Sequence, residues 1–137
     1  MDHVAFIRTP HVTRLLTGEK DFESRLAKRP GPAWRASVGD RVFLKRSGGE
    51  IEGVAAVVEI AALDDLRPCD VLALADTLLP SSAPDWSYWR QKQAARYALI
   101  LWLSPVQRCV VPAALTPRGV QSAWVANWRH GDSARLI

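Results

Sequence analysis

Apolar residues recur along this chain mainly with a period of two, interrupted by short stretches of helical spacing. His3 to Arg8, with Val4 and Phe6 supported by Ala5 and Ile7, predicts a short buried strand. Thr9-Pro10 follows. Thr is a good helix N-cap, and Pro suits the first helical position because its missing N–H would be unpaired there anyway. A helix over Pro10 to Thr17 places Val12, Leu15 and Leu16 on one face, and Gly18 ends it. Asp21 to Lys28 alternates: Phe22, Ser24 and Leu26 share one side, Glu23, Arg25 and Ala27 the other. One side is therefore a core face, and the other presents a carboxylate beside a guanidinium.

Arg29 to Ser37 carries two prolines and a glycine and reads as a loop. Val38-Gly39-Asp40 turns into a strand over Arg41 to Arg46, and Ser47-Gly48-Gly49 is a hairpin signal. Glu50 to Leu63 is a long Val/Ala/Ile run, expected to be a central strand buried on both faces. Asp64 to Pro80 is weakly helical around Val71 to Leu78, Pro80 to Pro84 is a loop, and Asp85 to Ala95 reads as a short helix capped by Asp85. Strands are expected over Arg96 to Leu103, Val106 to Val111 and Ser122 to Asn127. The order predicts a mixed, mostly antiparallel α+β fold, a curled sheet flanked by helices. With 137 residues the chain is one domain, able to bury about 68% of its unfolded surface without a staple.

Charge adds a second pattern. Residues 1–46 hold ten Lys/Arg against five Asp/Glu. Residues 47–89 hold one against eight, and the remainder seven against one. The expectation is a basic face built from the two ends of the chain, with the acidic middle turned elsewhere. The apolar run Ala98 to Leu103 is too short to span a membrane, and the first ten residues show no secretory pattern. Two cysteines, Cys69 and Cys109, make no disulfide framework, and a cytoplasmic location with reduced thiols is the default. His3, His11 and His130 lack metal-ligand spacing, and no nucleotide-cofactor fingerprint is present, so no metal or cofactor is expected.

The stretch Gly18-Glu19-Lys20-Asp21-Phe22-Glu23-Ser24-Arg25 fits G-x-K-x-x-E-x-R, following a helix and running into a strand. It resembles the signature of the ASCH domain family, within the PUA-like superfamily. The helix PHVTRLLTGEK, the unit VGDRVFLKRSGGEIEGVAAVVEI and the strand ARYALILWL are similar to the family as well, so the resemblance covers most of the chain. It implies a PUA-like small mixed β-barrel flanked by two or three short helices. It also implies that the motif lines a cleft between helix and barrel. Lys20 offers a compact charge there, and Arg25 a planar fork that suits phosphate. Glu23 can orient that fork or accept from the exocyclic amine of a base. The alternative is an ion pair of Glu23 and Arg25 that only fixes the loop. Trp34, one of six tryptophans, lies in a Pro/Gly loop and is either a stacking platform for a base or a plug. Trp86 and Trp89 share a helix face toward the sheet, with Tyr88 or Lys92 more outward. Lys45 and Arg46 reach a phosphate backbone or form a solvated hairpin end.

The expected function is a nucleic-acid-binding module for RNA or a modified nucleotide, through Lys20, Glu23, Arg25, Trp34, Lys45 and Arg46; DNA is the other polymer the charges admit. The alternative is a small ASCH-type hydrolase with Lys20 and Glu23 catalytic. A ribonuclease would use Lys20 on the developing charge and Glu23 or a tyrosine on a proton. The family's N4-acylcytidine amidohydrolases resemble the chain less. They carry Thr where Glu23 stands, and Asp76 alone is available for their later carboxylate. An acidic partner-binding face over residues 50–85 is a third reading.

Overall fold

The computed structural model describes residues 1–80, 83, 85–119 and 123–137. In chain order its elements are β1 (Asp2–Ile7), α1 (Thr9–Thr17), β2 (Phe22–Ala27), β3 (Arg41–Arg46), β4 (Ile51–Leu63) and α2 (Pro68–Leu78). There follow α3 (Trp86–Gln91), β5 (Tyr97–Leu103), β6 (Gln107–Val110), β7 (Trp124–Val125) and β8 (Arg135–Leu136). The strands form one sheet in the order β2-β5-β4-β3-β1-β7, with β6 paired to β4 and β8 to β6. The pair β1/β3 is parallel and the other ladders are antiparallel.

The long strand β4 organises the sheet. Its first half pairs with β3 and its second with β5, with a register shift between Val57 and Glu59. Both faces of the first half are covered. Val58, however, is 54% exposed, so the expected burial on both faces ends at the change of partner. Among the described residues no ladder joins β2 to β1 or β7. The expected closed barrel is therefore a sheet whose ends approach each other across an open seam. Three apolar clusters hold it. One lines the inner face around Ala5, Leu44, Leu99, Leu101 and Trp124. A second lies under α2 and α3 around Phe22, Val71, Trp89 and Ile100. The third joins Val4, Phe43 and Trp128 beneath the C-terminal segment.

Local chemistry explains most boundaries. Gly18 takes φ +80° and closes α1, as its lack of a Cβ allows. Thr9 is already helical, and Arg8 occupies the cap position without a side-chain bond. α2 lies within the weakly helical stretch Asp64 to Pro80, starting where Pro68 opens it and the Asp70 carboxylate accepts from the Arg67 amide at 2.8 Å. β8 has too few residues to show alternation. The expected strand over Ser122 to Asn127 shrinks to Trp124–Val125. Ser122, and residues 81, 82 and 84 of the expected loop, lie outside the described residues. No helix among the described residues is long and apolar enough to cross a membrane.

Gly53 marks where α1, β4 and β6 meet. A Cβ there would stand 2.7 Å from Val106 Cγ1, 2.9 Å from Leu16 Cδ2 and 3.2 Å from the Gln107 carbonyl. Gly53→Ala is expected to destabilise the protein by about 1–3 kcal/mol through overpacking. The urea midpoint reads the effect, and an unchanged midpoint contradicts this account of the junction.

Candidate functional site

The site begins at the end of α1. After Gly18 the chain turns back, and the Lys20 amide donates to the Arg14 carbonyl at 3.1 Å. That turn puts the side chains of Arg14 and Lys20 on the same side of the helix end. Both meet Asp85, which directly precedes α3. Lys20 Nζ donates to Asp85 Oδ2 at 2.7 Å, and Arg14 donates to Oδ1. His11 Nδ1 lies 3.7 Å from Oδ2. Asp85 is 1% exposed and Lys20 8%, so this is a buried ion cluster. The expected side-chain cap by Asp85 does not form, because its carboxylate is taken by the two cations.

Alternation along β2 then decides the rest. Phe22 and Leu26 pack under α2 and α3, while Glu23 and Arg25 sit opposite Leu101 and Leu99 of β5. Those partners belong to the inner cluster, so the charged side of β2 faces inward, toward the seam. There Arg25 spans the gap that no ladder closes. Its terminal nitrogens donate to the carbonyls of Ala123 at 3.3 Å and Phe6 at 3.4 Å, both on the far side of the seam. The guanidinium lies 5.3 Å from the Trp124 ring. Its Nε is 3.8 Å from Glu23 Oε1, an ion pair without a hydrogen bond. Ala123 holds φ +54°, a left-handed conformation disfavoured for alanine, while its carbonyl accepts from both Arg25 and the Phe6 amide.

Electrostatics tie these groups together. Burial lowers the His11 pKa, and Lys20 lowers it further, outweighing Asp85 and Glu23. Burial pushes the Asp85 carboxyl up, but the bonds and charges of Lys20 and Arg14 prevail and leave it below its ordinary value. Burial pushes the Tyr88 hydroxyl up, with Arg25, Glu23, Arg8 and the Leu26 backbone nearby. It packs on the cluster under α2 and α3, not outward as its helical position suggests. Among the described residues, four buried polar atoms here make no hydrogen bond: His11 Nδ1, Arg14 Nε, Glu23 Oε2 and Arg25 Nε. Native proteins satisfy nearly all such atoms, so their clustering in one place marks a functional candidate. Glu23 is 8% exposed, which makes its unpartnered Oε2 a costly feature.

The other sequence candidates lie elsewhere. Trp34 is half-buried against the apolar cluster that contains Trp124. Lys45 is 3% exposed, over the Phe6 ring at 4.8 Å, and donates to the Arg46 carbonyl at 3.3 Å. Burial and the neighbouring Arg118 lower its pKa. Arg46 is engaged by both oxygens of Glu52, at 2.5 and 3.1 Å. Neither arrangement is the solvated hairpin end considered from the sequence. The charge blocks do not separate into two faces either. Arg46–Glu52, Arg118–Glu50, Arg96–Asp65 and Lys20–Asp85 each tie a basic end to the acidic middle. A surface groove of about 690 Å³ over Phe43, Val54 and Leu136 shares no residue with the seam. Its rim charges, Arg41 and Asp132, are already paired with each other.

Sequence reasoning missed Asp85, His11, Arg14 and Tyr88 as members of one cluster. A carboxylate 65 residues from its lysine leaves no local trace; only the acidic block around Asp85 hinted at a partner for the basic N-terminal third.

The arrangement of strands and helices is of the ASCH type. No protein-family model matches the chain, and no curated protein does. Solved structures do. The crystal structure of ASCH from Zymomonas mobilis superimposes with a TM-score of 0.61 at 14% identity, covering 99% of this chain and 87% of that one. A single-substitution variant of the same Zymomonas mobilis protein gives 0.62 at 15% identity, over 99% of this chain and 89% of that one. A hypothetical protein, PH0355, gives 0.51 at 15% identity, over 77% of this chain and 99% of that one. At these identities the likeness is one of fold, and at that level the ASCH resemblance of the sequence holds.

Proposed function

We propose that the seam between β2 and β1/β7 binds a nucleotide unit of RNA. The observation that carries this reading is the meeting of Glu23 and Arg25 at one gap, with a buried carboxylate oxygen left unpaired, while Lys20 is held apart from it on Asp85. Glu23 Oε2 accepts from the exocyclic amine of a base, as carboxylates do for N–H edges. Arg25 supplies its free Nε. Lys20 holds Asp85 and keeps the local charge balanced around the base. Arg8, exposed at the start of α1 and near Tyr88, lies at the rim of the cluster, where it meets the phosphate.

A small hydrolase is the second reading, and His11 favours it. An imidazole with a lowered pKa is neutral at physiological pH and suited to act as a base beside Lys20. Glu23 still lacks the hydroxyl that amidohydrolase chemistry would need there, so an RNA-cleaving reaction is the form this reading takes.

Fluorescence anisotropy against labelled single-stranded RNA and DNA tests the proposal. Wild type is expected to bind RNA with a log–log salt slope of about −0.7 per phosphate contact. Glu23→Gln, which keeps shape but loses one acceptor, is expected to weaken binding by about ten-fold. Equal, salt-independent signals for wild type, Glu23→Gln and Lys20→Ala would refute use of this seam. Cleavage of labelled RNA that disappears in His11→Ala would move the protein to the second reading.

A further inference from the structure

A chain of contacts runs from the turn before β3 to the seam, through Asp40, His3 and Trp124 to Arg25. It starts at Asp40, in the turn before β3. There Gly39, at φ +94°, donates its amide to the Val57 carbonyl at 2.8 Å, and the Asp40 carbonyl accepts from the Val57 amide at 2.9 Å. The carboxylate is held by the Ser37 amide at 2.9 Å and by His3 Nε2 at 2.8 Å. His3 is completely buried in β1. Its other nitrogen, Nδ1, accepts from the Trp124 indole N–H at 3.3 Å. Trp124, 1% exposed, carries the Arg25 guanidinium on its ring.

We propose that His3 and Asp40 are positioning residues for the seam: they set the orientation of the Trp124 indole and, through it, the part of Arg25 offered to a ligand. The indole N–H only donates, so it needs an acceptor, and His3 Nδ1 is one only when the ring proton sits on Nε2. Asp40 selects that tautomer by accepting the Nε2 proton. The opposite tautomer would set N–H against N–H and turn the indole away. With the indole in place, Arg25 lies over its ring and spends both terminal nitrogens on the Phe6 and Ala123 carbonyls. Nε, facing Glu23, is what remains. The role in binding rests on the seam being the ligand site; the coupling of His3 to Arg25 does not.

The test uses the full chain, ¹⁵N-labelled, with spectra of the indole Nε1–H and arginine Nε–H groups. Trp124→Phe and Arg25→Lys assign the two signals by their loss. Affinity is read with a fluorescein-labelled single-stranded RNA of mixed sequence. His3→Leu is expected to move both signals and weaken binding by about ten-fold, the scale of one lost hydrogen bond. His3→Gln, whose amide can accept from the indole and donate to Asp40, is expected to restore signals and affinity. If His3→Leu does not fold, Trp124→Phe replaces it, since phenylalanine keeps a ring but cannot bond His3; its arginine signal should move and its affinity fall. An unmoved arginine signal in the variant used, or unchanged affinity, overturns the proposal. So does a failure of His3→Gln to rescue His3→Leu. If wild type binds no RNA, the seam reading falls and the binding role with it; a moving arginine signal would then leave only the structural coupling.

Discussion

Asp85→Asn is expected to lower stability by about 3–5 kcal/mol, because it leaves two buried cations without their counter-charge. Lys20 and Arg14 both end on this carboxylate, and each is largely covered. An amide oxygen can accept one of those bonds but brings no negative charge. For a chain of this length the loss corresponds to a fall in Tm of roughly 10–20 °C. Thermal denaturation followed by circular dichroism reads it directly. The double variant Lys20→Met with Asp85→Leu is expected to recover part of the loss, since a packed apolar pair can replace a buried ionic one. The same carboxylate gives the protein an acid limit. Its folded pKa is lowered, so its stabilisation is complete above the ordinary carboxylate value of 3.8 and is lost as the pH falls through the lower folded value. The Asp85→Asn protein should lose less stability than wild type between pH 5 and pH 2. Parallel pH–stability curves would contradict the role given to Asp85.

Arg25→Lys is expected to reduce RNA affinity by about ten-fold or more and to loosen the seam. Lysine's three N–H groups all sit on one nitrogen, so it lacks the planar fork whose two ends reach the separate carbonyls while Nε is left for a ligand. Two hydrogen bonds cross the seam from Arg25, and no strand ladder duplicates them among the described residues. The sensitive reporter is the Phe6 amide, which donates to the Ala123 carbonyl at 3.0 Å. Its hydrogen exchange should quicken in Arg25→Lys while amides of the β4/β5 ladder keep their protection. Uniform acceleration would instead mean global destabilisation, and no change would mean that the seam is held by other contacts.

Legibility differed between neighbouring residues. Gly18 announced the end of α1, and its left-handed φ is a consequence of having no side chain. Three positions later the alternation of β2 separated Phe22 and Leu26 from Glu23 and Arg25 correctly. It did not reveal which side met solvent. In a sheet whose ends approach each other and whose outside is covered by helices, both sides are covered, so polar no longer means exposed. Trp34, Lys45 and Arg46 show the same limit. Each is of a type that can meet nucleic acid, yet packing or an ion pair occupies it. Tyr88 was placed outward by helical spacing, and only the packing of α3 brought it against the cluster that holds Phe22 and Leu26.

By itself the amino-acid sequence determined most of the succession of strands and helices, the α+β class, the end of α1 and a resemblance to the ASCH fold. Those properties follow from interactions between residues a few positions apart, which composition and spacing record. The tertiary structure alone decided that Lys20 ends on Asp85, that Arg25 reaches Phe6 and Ala123, and that His3 stands between Asp40 and Trp124. Such partners are chosen by which strands the topology brings side by side, and a hydrogen bond across a hundred residues has no period to betray it.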